Sequence, residues 1–123
     1  MDILDEKQSC SGRLFREHCT FHQGMYYVKD LSELNRDMTD VLIIDNSPTA
    51  YLFQPENALP ISSWYEEKND RELYDYMPFL IELSKVNDVR PILKQLNSVS
   101  MDDDVNIEYG MQLLSEYQWQ QPE

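Results

Sequence analysis

Val41-Leu42-Ile43-Ile44 is a continuous aliphatic run that ends at Asp45-Asn46-Ser47-Pro48. A run without polar alternation, closed by turn formers, predicts a short strand buried on both faces. Such strands belong to parallel sheets covered by helices. Upstream, residues 14–21 and 25–28 are rich in aromatic and β-favouring side chains on either side of Gln23-Gly24, which predicts a hairpin of two short strands. Residues 1–8, with Ile3 and Leu4 among charges, read as the tail of a helix closed by Ser9-Cys10-Ser11-Gly12, and residues 31–37 as a single helical turn.

Beyond the aliphatic run, the Pro55-Glu56-Asn57 loop leads into a further short strand over residues 58–64. Asn69 or Asp70 can cap the helix that follows. Leu73, Tyr76, Met77, Leu80, Ile81 and Leu83 recur in it at helical spacing, with Pro78 straining the middle. Asp88 caps a last helix that carries Pro91 in its first turn. After Asn97 the composition turns polar through Asp102-Asp103-Asp104, which reads as an acidic linker into a poorly specified tail. The pattern as a whole is α/β. In open sheets of that class the ligand site lies beyond the carboxyl ends of the strands, so Asp45 sits where chemistry would be placed.

Composition narrows the function. The 123 residues suit one small domain, and the 41% hydrophobic content includes eight Tyr, four Phe and two Trp as bulky core material. A formal charge of −13 repels phosphodiester backbones, so no direct nucleic-acid binding is expected. No apolar run approaches the roughly 20 residues that span a bilayer. Residues 1–6 have neither the basic region nor the apolar core of a secretory signal, and the chain reads as nuclear or cytoplasmic. Cys10 and Cys19 lack metal-ligand spacing and read as reduced thiols. His18 and His22 flank a predicted strand and read as packing or surface residues.

Six blocks then occur in one order. They are Arg13-Leu14-Phe15-Arg16-Glu17-His18-Cys19, Val28-Lys29-Asp30-Leu31, Asn35-Arg36-Asp37, Ile43-Ile44-Asp45-Asn46-Ser47-Pro48, Pro60-Ile61-Ser62-Ser63-Trp64 and Asn69-Asp70-Arg71-Glu72-Leu73. The series continues through Met77-Pro78-Phe79-Leu80 and Asp88-Val89-Arg90. In this the chain resembles the C-terminal half of the small carboxy-terminal-domain phosphatases and their Dullard-like relatives, in the haloacid dehalogenase superfamily. The resemblance covers residues 1–97, a partial phosphatase homology domain, and leaves 98–123 as linker and tail. It implies the C-terminal portion of a haloacid-dehalogenase-like Rossmannoid parallel sheet with flanking helices. It also implies a Mg²⁺-dependent protein serine/threonine phosphatase lineage acting on phosphoproteins, such as the RNA polymerase II tail. By position in the motifs, Lys29 matches the phosphate-binding lysine, Asp45 the metal ligand and Asn46 the amide beside it.

The family's nucleophile lies in a D-x-D-x-[TV] motif, which the resemblance places ahead of Met1. The chain alone is therefore expected to be inactive, with Mg²⁺ held only when the N-terminal half is supplied. Asp102-Asp103-Asp104-Val105 has the D-x-D spacing, but it follows no apolar strand and Asn106 stands where Thr or Val is required. Two other readings stay open: a non-catalytic half-domain that binds a partner, and kinship to the mitochondrial inner-membrane translocase receptor.

Overall fold

The computed structural model describes residues 4–63, 65, 67–99 and 107–120. In chain order it holds a hairpin of β1 (Thr20–His22) and β2 (Tyr26–Val28), a parallel pair of β3 (Ile43–Asp45) and β4 (Ala58–Pro60), and three helices: α1 (Glu72–Leu83), α2 (Val89–Val99) and α3 (Ile107–Gln120). Single 3₁₀ turns at Arg16–His18, Leu31–Leu34, Met38–Asp40 and Pro55–Asn57 link them. Trp64 and Asp102-Asp103-Asp104 lie outside the described residues.

The hairpin forms where the aromatic pattern places it. Phe21 pairs with Tyr27 across the strands, and the turn between them carries positive φ at both Gln23 (53°) and Gly24 (64°). Left-handed backbone at two successive residues suits the right-handed twist of a tight hairpin, and glycine meets it without a Cβ clash. Residues 4–8 form turns closed by the Asp5 side chain, which accepts from the Ser9 and Cys10 N–H groups. The helix tail expected over residues 1–8 is thus absent from residue 4 onward, because Asp5 bonds local backbone in a non-helical conformation.

The parallel pair divides the apolar residues. Val41 and Ile43 face a small cluster with Leu31 and Ala58, while Leu42 and Ile44 pack against the main cluster. That main cluster is built from Leu59 of β4, Tyr76, Phe79 and Leu83 of α1, Val89, Ile92, Leu93 and Leu96 of α2, and Leu113 and Leu114 of α3. The aliphatic run therefore meets apolar residues on both faces, as its lack of polar alternation predicts. Asn57 is fully buried beneath the small cluster and donates its side-chain N–H groups to the carbonyls of Met38 and Val41. It fixes the approach to β3 from below.

Asp70 Oδ1 accepts the Glu72 N–H and Asp88 Oδ1 the Arg90 N–H, so both predicted caps hold. The buried face of α1 takes only part of the set its spacing suggests: Tyr76, Leu80 and Leu83 reach the core. Tyr76, Phe79 and Leu83 turn inward, whereas Leu73, Met77 and Ile81 are about half exposed. The helix carries two apolar stripes, and period alone cannot say which one β4 and α3 cover. The tail expected after Asn97 also differs. The α2 helix runs on to Val99, and α3 docks on α1 and α2 through Leu113, Leu114 and Gly110.

Gly110 marks the closest approach of α3. A Cβ there would lie 2.8 Å from Phe79 Cε2 and 3.1 Å from its Cδ2. Phe79 is fully buried and has no room to retreat. Gly110→Ala gains up to about 1 kcal/mol of helix propensity but incurs about 1–3 kcal/mol of overpacking. A net loss of stability is expected, read as a lowered midpoint in urea denaturation followed by circular dichroism.

Candidate functional site

The carboxyl end of β3 is where Asp45 emerges, with 9% of its surface exposed. A carboxylate this buried needs partners, and it has two. Oδ1 accepts the Ser47 N–H at 3.0 Å in a local turn, and Oδ2 lies 2.6 Å from Lys29 Nζ. Lys29 directly follows β2, and its side chain is 55% exposed, so the pair lies at the rim of the protein with the acid inside and the ammonium facing out. The Lys29 N–H also donates to the Ala50 carbonyl at 2.8 Å. Lys29 is thus tied twice to the segment that follows β3, once by main chain and once by side chain.

The segment before the next turn is clamped from the other side. Asp30 Oδ1 accepts from the Ser32 N–H at 3.0 Å, the Ser32 hydroxyl at 2.7 Å and Gln54 Nε2 at 2.8 Å. These bonds favour the charged form and hold the Asp30 carboxyl below its usual range, the Ser32 hydroxyl contributing most. Gln54 Oε1 in return accepts the Leu31 N–H. Tyr51 stands close enough to feel Asp45: burial pushes its phenol up, and the Asp45 charge adds to the shift.

Asn46 points out of the β3 end and donates from Nδ2 to Ser63 Oγ at 2.7 Å. Asp45, Asn46, Ser62, Ser63 and Tyr65 line a shallow polar cavity of about 350 Å³ beyond the ends of β3 and β4, floored by Ile44 and Ile61. A larger cavity, about 1100 Å³, runs along the side of β3 away from β4 and is lined by Leu14, Phe15, Tyr27, Lys29, Leu42 and Ile44 among others. Lys29 lines the larger cavity, Asp45 the smaller, and Ile44 both.

The structure brings all three residues singled out by sequence, Lys29, Asp45 and Asn46, to this one end of the sheet. Ser47, Tyr51, Ser63 and Glu72 join them without a sequence signal of their own, since each is an ordinary turn or helix-start residue. Elsewhere, His22 meets Phe53 edge-on with ring centroids 5.1 Å apart, and His18 Nδ1 accepts the Phe15 N–H. Cys10 and Cys19 are free thiols. Among the described residues, no three His, Cys, Asp or Glu side chains converge as a metal cluster. No helix there is long and apolar enough to cross a membrane.

Comparison with known proteins decides the lineage. The profile of the NLI interacting factor-like phosphatase family matches residues 1–90. The chain belongs to that family. It is 52% identical over 94 residues to the human carboxy-terminal domain RNA polymerase II polypeptide A small phosphatase 1, a match covering 76% of this chain and 36% of the relative. It is 54% identical over 95 residues to a probable C-terminal domain small phosphatase of Dictyostelium discoideum, covering 77% and 31%. A CTD small phosphatase-like protein of Mus musculus is 50% identical over 97 residues, covering 79% and 35%. The chain thus spans about a third of the length of these relatives. The resemblance to small carboxy-terminal-domain phosphatases is borne out, and the phosphatase lineage is favoured over the translocase-receptor alternative.

Asp30 offers a direct check on the clamp that holds Lys29 in place. Its depressed carboxyl stabilises the fold above its unfolded value, near 4, and that contribution is lost as pH falls through the folded value. Asp30→Ala should cost about 1 kcal/mol at pH 7. The gap from wild type should narrow as pH is lowered through the depressed folded value, where the wild-type carboxylate takes up its own proton. Chemical denaturation across an acid pH series measures it.

Proposed function

We propose that this chain is the part of a Mg²⁺-dependent protein serine/threonine phosphatase that supplies the phosphate-binding lysine and one metal-binding carboxylate. The observation that carries the reading is the Lys29–Asp45 contact of 2.6 Å at the carboxyl end of a parallel strand. Attack on a phosphate dianion requires its charge to be neutralised, and an ammonium beside a carboxylate-held cation does this from two sides. The remaining sheet in this reading is the Rossmannoid core of the haloacid dehalogenase superfamily. Phosphoproteins are the substrates, the RNA polymerase II tail named by the human relative being the first to try. A nuclear or cytoplasmic location follows from such substrates.

The residues present suit magnesium by their chemistry. Mg²⁺ takes hard oxygen ligands and is commonly held by one or two carboxylates, with water and phosphate completing its shell. Asp45 offers carboxylate oxygens and Asn46 an amide oxygen, with no sulfur or imidazole beside them. Bound there, the ion supplies positive charge opposite the phosphoryl oxygens. Lys29 then has a second task. Its Nζ, bonded here to Asp45, would turn to a phosphoryl oxygen, with Asp45 and Asn46 the residues that would hold the ion. The exposed stem of Lys29 allows that swing, and the Ala50 carbonyl keeps its main chain in place.

In this reading the nucleophile comes from the family's D-x-D-x-[TV] loop, so the 123 residues alone should turn over p-nitrophenyl phosphate poorly. Fusing or co-expressing the preceding half of a small phosphatase should create Mg²⁺-dependent activity toward a phosphoserine peptide. In that protein Asp45→Asn should weaken Mg²⁺ binding, and Lys29→Ala should slow turnover on the order of 10²-fold or more. His22→Ala, with its ring against Phe53, should leave the rate near wild type. A folded chimera that tolerates both Asp45→Asn and Lys29→Ala overturns the site, and a partner-binding half-domain then becomes the better account.

A further inference from the structure

Glu72 is the first residue of α1 and is remote in sequence from Asp45, yet its carboxylate gathers donors around the segment that leaves β4. The Ser62 N–H lies 3.1 and 3.2 Å from its two oxygens, the Ser62 hydroxyl bonds Oε2, and the Tyr76 hydroxyl donates to Oε1 at 3.0 Å. The anchor is rigid. Asp70 caps the Glu72 N–H at 2.9 Å, Tyr76 is 3% exposed in the main cluster, and a carboxylate is favoured at a helix start by the free N–H groups there. The next residue along, Ser63, accepts the Asn46 amide at 2.7 Å. With Nδ2 turned to Ser63, Oδ1 is the end of the Asn46 side chain left for a hard cation.

We infer that Glu72 is a positioning residue, acting through Ser62 and Ser63 to hold the Asn46 amide with its oxygen available beside Asp45. The inference rests on the reading of Asp45 and Asn46 as a cation and phosphate site, and it names what keeps that site in shape. Ser62 is exposed at the surface; the Glu72 carboxylate ties it to α1, and the Ile61 N–H bond to the Asp45 carbonyl, at 3.2 Å, ties the preceding residue to β3. Supporting partners of metal ligands typically account for about 10–100-fold in affinity.

The test uses the 123-residue chain labelled with ¹⁵N, with Glu72→Ala, Glu72→Gln and Ser63→Ala as variants. Without cation, the heteronuclear NOE of the Asn46 side-chain amide should match the ordered backbone in wild type and collapse in Glu72→Ala and Ser63→Ala. Glu72→Gln keeps the length and one carbonyl acceptor and should recover most of the order. In the chimera that carries the preceding half of a small phosphatase, a Mg²⁺ titration followed at the Asp45 and Asn46 backbone signals should show the half-saturating concentration rising about tenfold in the two disruptive variants. Ser63→Ala leaves α1 and its cap intact, so it decides the matter if Glu72→Ala does not fold. An Asn46 amide that stays as ordered as wild type in either folded variant overturns the inference. If the amide loses order as expected but Mg²⁺ moves no signal even in the otherwise wild-type chimera, the positioning link stands and the cation-site reading falls.

Discussion

The register of β3 on β4 is the constraint on which the rest of the structure depends. Ile43 stands against Ala58 and Asp45 against Pro60. Because side chains alternate strictly along a strand, a slip of one residue would exchange the two faces of β3. Val41 and Ile43 would leave the small cluster, Leu42 and Ile44 the large one, and Asp45 would turn its carboxylate into apolar surroundings away from Lys29. The two clusters have different shapes, one closed by a 3₁₀ turn and a buried Asn57, the other by three helices, so only one register fills both. The position of the acid is therefore paid for by core packing and needs no support from the ion pair itself.

The ion pair adds direction. Lys29 is one of only 10 basic residues against 23 acidic ones, so an ammonium here stands out against a field of the opposite sign. That field raises the cost of bringing a dianion to the site and makes a cation beside Asp45 the natural counterpart. The same −13 charge that disfavours nucleic acid thus favours metal at the carboxyl end of β3.

Much of this was legible in the sequence because the signals were local. The aliphatic run announced β3, Asp70 and Asp88 announced the helix starts, and Gln23-Gly24 announced the hairpin turn. The three candidate residues were singled out through ordered blocks of motif, which carry positional information that spacing alone does not. What failed was non-local. Spacing could not separate the buried Tyr76 and Leu83 of α1 from Leu73, Met77 and Ile81, which recur as regularly and stay about half exposed. The α3 helix was missed because an acidic stretch precedes it and its apolar residues matter only against Phe79 and Leu96. Ser63 and Glu72 could not be singled out, since their meaning arises from a contact between the ends of two separate elements.

Hydrogen-bond direction gives the small sheet a sidedness. In a parallel strand successive residues bond to opposite sides, and the Ile61 N–H reaches the Asp45 carbonyl, so the polar groups of Ala58 and Pro60 face away from β3. Two of those outward groups are accounted for: Asn97 Nδ2 donates to the Ala58 carbonyl, and Pro60 has no N–H to offer. On the opposite flank, the N–H and carbonyl of Ile44 point by the same alternation toward the large apolar cavity, where no strand among the described residues pairs with them. The sheet is sealed beyond β4 and open beyond β3: it can accept another strand in one direction only, and that direction places the newcomer alongside Asp45.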